Sequence, residues 1–73
     1  MDKTLLSHFI KRVINERKSL YVYADGGIFC YISSDTYHGE RKPRVEGEDL
    51  VCFDVNKNEM SRIEAGSIND IQF

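Results

Sequence analysis

The chain has 73 residues, 41% of them hydrophobic and 30% charged, which is the composition of one globular domain and excludes a disordered segment. A formal charge of −2 excludes a constitutive, non-specific nucleic-acid binder, which needs a surplus of Lys and Arg to displace phosphate counterions. A core this small is marginal without a metal, a disulfide or a partner.

Asp2 and Thr4 are candidate N-caps, since their side-chain oxygens can accept a free helical N–H. Leu5, Leu6, Phe9, Ile10, Val13 and Ile14 then fill about half of a helical circumference, with Ser7, His8, Lys11, Arg12, Asn15 and Lys18 on the other half. The pattern predicts an amphipathic helix over 3–17. Charges interrupt its apolar residues throughout, so it is neither a signal peptide nor a membrane span. No membrane partner and a cytoplasmic location are therefore expected.

After residue 18 the period changes from helical to alternating. Leu20 to Ala24 is rich in β-branched and aromatic residues, Asp25-Gly26-Gly27 signals a turn, and Ile28 to Ser33 reads as the returning strand. A two-residue loop would set Tyr23 opposite Ile28 and mix aromatic with aliphatic side chains. A three-residue loop would set Tyr23 opposite Phe29 and Tyr21 opposite Tyr31, and collect Leu20, Val22, Ile28, Cys30 and Ile32 on the other face. The second arrangement separates the two sets and is the one expected.

Residues 34–48 form a long loop, with room for a short edge strand around Arg44 and Val45. Leu50 to Val55 is the next strand, Asn56-Lys57-Asn58 a hairpin turn, and Glu59 to Glu64 the return. A glycine turn at Ala65-Gly66-Ser67 leads into a last strand anchored by Ile68 and Ile71. The expected fold is α+β: residues 1–73 as a single domain, with the helix followed by a five-stranded, mostly antiparallel and strongly bent sheet or small barrel. Its strands lie at about 19–24, 28–33, 50–55, 59–64 and 67–73.

The stretch Ile63-Glu64-Ala65-Gly66-Ser67-Ile68-Asn69-Asp70-Ile71-Gln72-Phe73 resembles the second motif of Sm-like small barrels, where a strand meets a tight glycine turn and then an Ile-spaced last strand. It is also similar to the end of WYL-type domains, and the whole order of elements looks SH3-like. The resemblance implies a small barrel, with RNA or DNA binding as one use of it. Ala65 stands where the Sm family usually places a nucleotide-contacting basic residue, and Asp35 is only a loose counterpart of the polar residues in the first motif. Fold analogy does not carry function over by itself.

Two groups of side chains are candidate binding sites. Tyr21, Tyr23, Phe29 and Tyr31 would share one sheet face, as a stacking platform for bases or a seat for a partner's apolar anchors. Against this, Leu5, Phe9 and Val13 need a surface to bury against, and the helix packing over the aromatics is the favoured reading. Arg41, Lys42 and Arg44, beside Tyr37 and His38, could clamp a phosphate or an acidic partner. A solvated loop is the plainer reading there, and Glu40, Glu46 and Glu48 dilute its field.

Cys30 and Cys52 lie in apolar runs and read as buried free thiols. With His8 and His38 they have no zinc-site spacing, so no metal and no cofactor is expected. Ser33, Ser34, Asp35 and His38 are close in sequence, but catalysis needs convergence in space, so no catalytic residues are assigned. The sequence therefore predicts a small non-enzymatic binding module, a regulator or inhibitor acting on a protein partner, with self-association as a variant. The alternative is an Sm-like nucleic-acid-binding module.

Overall fold

A computed structural model of the protein describes residues 1–72. The helix α1 spans Lys3–Glu16, close to the expected range. It ends where Arg17 takes left-handed geometry (φ 53°) and its N–H bonds back to the carbonyl of Ile14 at 3.2 Å. Asp2 occupies the N-cap position, but its side chain makes no capping bond.

Six strands follow among the described residues: β1 Leu20–Ala24, β2 Gly27–Ile32, β3 Arg44–Glu46, β4 Asp49–Asp54, β5 Glu59–Glu64 and β6 Ile68–Gln72. Phe73, included in the expected last strand, lies outside the described residues. The strands do not form one five-stranded sheet or a closed barrel. They form two three-stranded antiparallel sheets, in the orders β2-β1-β6 and β3-β4-β5. The division arises because Ser34–Thr36 and Gly39–Arg41 fold as single 3-10 turns. These carry the chain away from β2, so that β3 starts a second sheet.

The first hairpin differs from the expected one in an informative way. Asp25 (φ 50°) and Gly26 (φ 81°) both adopt left-handed geometry, which is the requirement of a two-residue primed turn. Tyr23 therefore faces Ile28, not Phe29. The register then shifts, so that Val22 pairs with Cys30 and Tyr21 with Tyr31. Phe29 is the inserted residue of a β-bulge, which resets the alternation by one position. Leu20, Val22, Cys30 and Ile32 consequently share the buried face as expected. Ile28 does not join them and is 55% exposed beside the tyrosines.

The core joins both sheets to the helix. Leu6, Ile10 and Val13 of α1 meet Leu20, Val22, Cys30 and Ile32 of the first sheet and Leu50, Cys52 and Ile63 of the second. The helix thus lies on the aliphatic side of β1 and β2, which corrects the expectation that it covers the aromatic side. Leu5 points away and stays exposed. The helix also packs against β3 and against the 3-10 turn Ala65–Ser67.

Candidate functional site

The outer face of the first sheet is the candidate binding surface. Alternation in β1 sends Tyr21 and Tyr23 outward, and the bulge sends Ile28 and Tyr31 to the same side. The rings of Tyr21 and Tyr31 are 4.7 Å apart at 40°, a tilted aromatic pair. Tyr21 is 41% exposed, while Tyr23 and Tyr31 are half-buried. From β6, Gln72 pairs with Tyr21 and Asp70 with Tyr23. The result is an apolar strip with a polar margin.

The remaining expected aromatics are placed differently. Phe29, displaced by the bulge, packs against the core edge, with the Lys57 ammonium 5.1 Å from its ring centre. Tyr37 is fixed by donating its hydroxyl to the carbonyl of Lys18, and it leans on the core. Burial, with a smaller contribution from nearby Tyr31, pushes its phenol up to about 12. At neutral pH it is therefore a neutral donor that holds the loop.

The basic run is dispersed. Arg41 lies over the ring of Phe53, 4.3 Å from its centre. Arg44 bonds to Glu46 and to the carbonyl of Glu40. Glu46 also accepts from Arg62 at 3.2 Å, and Arg62 reaches Asp49 at 2.9 Å. The Arg44 guanidinium holds the Glu46 carboxyl below the usual glutamate range. Lys42 and His38 are exposed on the loop. Arg41 and Arg44 are thus engaged within the molecule, and the run does not form a single clamp with the tyrosines.

The Ser33, Ser34, Asp35 and His38 group is used by local structure. The Ser33 hydroxyl accepts from the N–H of Asp35, and the N–H of Ser34 donates to the Ser19 hydroxyl. Among the described residues, no three or more His, Cys, Asp or Glu side chains are grouped to hold a metal ion. No helix there is long and apolar enough to cross a membrane.

Sequence reasoning missed two features. Asp54 is 1% exposed and accepts from the N–H of Asn56 at 3.0 Å and the N–H of Tyr31 at 3.4 Å. It fastens the end of β4 to β2 and caps the following turn, and Asp before Asn56-Lys57-Asn58 was the available signal. The second feature is a groove between α1 and β3. Lys3, Thr4, Ser7, His8, Lys11 and Val45 line about 260 Å³, and an adjoining hollow of about 200 Å³ is floored by Pro43 and Ile10. Each is smaller than the roughly 300 Å³ at which pockets for drug-sized ligands begin.

The chain finds no significant match among family models, curated proteins or solved structures.

Proposed function

We propose that this chain is a non-enzymatic binding module, a regulator or inhibitor that docks on a partner protein through the outer face of its first sheet. One observation carries the reading: Tyr21 and Ile28 stand exposed on one sheet face, while the helix spends its apolar residues on the opposite face. Exposed apolar side chains scattered singly need no explanation, but Tyr21 and Ile28 are joined across the strand pair by Tyr31 and Tyr23 and bordered on β6 by Asp70 and Gln72, the anatomy of a docking patch. The Tyr21–Tyr31 pair is a rigid anchor with little side-chain entropy to lose on binding.

The small-barrel relationship belongs to the same proposal. It is supported by the helix at the start and by the glycine-containing 3-10 turn between β5 and β6. The nucleic-acid reading draws less support, because Arg41 and Arg44 already have partners within the chain.

The test compares what the wild type and the Tyr21→Ser/Ile28→Ser double variant retain from a lysate of the native host. A protein retained by the wild type and lost by the variant, with the variant's fold unchanged, supports the reading. Equal retention by both overturns it. Salt-sensitive binding of single-stranded RNA, lost in an Arg41→Ala/Lys42→Ala/Arg44→Ala variant, would favour the nucleic-acid alternative.

A further inference from the structure

We propose that Cys30 and Cys52 are a disulfide-forming pair, an oxidation site through which the two sheets can be covalently locked at the centre of the core. Their sulfur atoms are 3.6 Å apart, in contact but not bonded. The two residues sit on β2 and β4, strands of different sheets, and are no more than 1% exposed. The proposal is independent of the docking face described above.

The surrounding structure holds these sulfurs together. Next to Cys30, the carbonyl of Tyr31 accepts from the N–H of Val55 at 3.0 Å, and the N–H of Tyr31 donates to Asp54. These bonds cross between β2 and the end of β4, within a few residues of both thiols. The two backbones are therefore pinned together immediately beyond the sulfur pair, on its C-terminal side. Bond formation asks the sulfurs to close from 3.6 Å to about 2 Å, a movement within reach of side-chain rotation and a small backbone shift.

The oxidant is a small disulfide such as oxidised glutathione. One cysteine thiolate attacks a glutathione sulfur, forming a mixed disulfide and releasing one glutathione thiolate. The second cysteine thiolate then attacks the protein-side sulfur and expels the other glutathione. The protein loses two protons and two electrons, and the products are one intramolecular disulfide and two glutathione thiols.

Burial decides when this happens. The hydrogen bond to Cys52, together with desolvation, raises the Cys30 thiol well above the usual thiol range. Neither sulfur is open to an oxidant the size of glutathione. Exchange therefore starts when the sheets part, during folding or in a transient opening, and the closed core afterwards shields the bond from reduction. A reducing compartment leaves the pair open, and an oxidising one sets it.

The linkage closes a loop between positions 22 residues apart. For a loop of that size, a fold that pre-positions the sulfurs favours closure about 300-fold over the unfolded chain. The full wild-type chain is equilibrated with a series of reduced and oxidised glutathione mixtures, at low protein concentration, in native buffer and in guanidinium. The products are trapped and weighed intact. The expected result is a monomer lighter by two hydrogen atoms, with a closure constant about 300-fold larger in native buffer, and an oxidised form that keeps its secondary structure and melts higher. Equal closure constants in the two solvents overturn the proposal. So does an oxidised form that melts lower, or a native-buffer product dominated by glutathione adducts or linked dimers.

Discussion

The two sheets are built alike and finished differently. Each has three antiparallel strands, and each sends one row of apolar side chains into the shared core. Their outer faces diverge. On the second sheet, Val51 lies in register between Arg44 and Arg62, and Phe53 lies beneath Arg41. Both are buried, and only Met60 and Val55 at the hairpin end remain partly open. On the first sheet, no arginine among the described residues lies over the Tyr21 ring. The difference teaches that alternation alone does not decide which apolar face is available. What decides it is where the long loop lands and which charged side chains it brings.

Substitutions can break that contrast or sharpen it. The largest effect is expected for Leu50→Ala, which empties a position in the core shared by both sheets and should cost about 2–5 kcal/mol in denaturant unfolding. Ile28→Ser on the open face should change stability by less than about 0.5 kcal/mol. A comparable loss at Ile28 would mean that its face is packed. Next is Asp54→Ala, which strips the acceptor from two backbone N–H groups where β4 meets β2. It should cost about 1–3 kcal/mol by the same measurement, with Asp54→Asn milder because an acceptor remains.

Arg41→Ala should cost about 0.5–1 kcal/mol, the range for an exposed cation over a ring. It should also expose Phe53, read as stronger binding of a hydrophobic dye. The smallest effect is pH-dependent. The Tyr37 phenol is raised from 10.0 to about 12 in the fold, so its contribution is fully present below pH 10 and is lost as pH rises through 12. The stability advantage of the wild type over Tyr37→Phe should therefore narrow between those values. A gap that stays constant with pH would place that hydroxyl in water.

The helix and the alternation after residue 18 were legible because each is a repeating burial pattern. The first hairpin was misread for a definite reason. A two-residue turn appeared to mix Tyr23 with the aliphatic set, and the bulge at Phe29 that resolves this conflict has no side-chain signature. The division into two sheets depended on the path of residues 33–43, which no local propensity reveals. Of the candidate site, Tyr21 and Tyr31 were correctly paired, and Tyr23 was placed on their face. For Arg41, Arg44 and Tyr37 the sequence offered an open clamp or, more plainly, a solvated loop, and neither included their partners Phe53, Glu46 and the Lys18 carbonyl, which are tertiary or backbone contacts. The α1–β3 groove was invisible for the same reason, since His8 and Lys11 read as a plain solvated helix face until β3 lay beside them.

The contrast between the two outer faces is tested most directly by solvent relaxation in NMR spectra of the dilute wild-type protein, using a neutral soluble gadolinium chelate. The Tyr21 ring and Ile28 methyl signals should broaden steeply with added chelate, and those of the Phe53 ring and Val51 methyls should broaden little. Equal broadening on the two faces, or protection of Tyr21 and Ile28 with exposure of Phe53, would contradict the account.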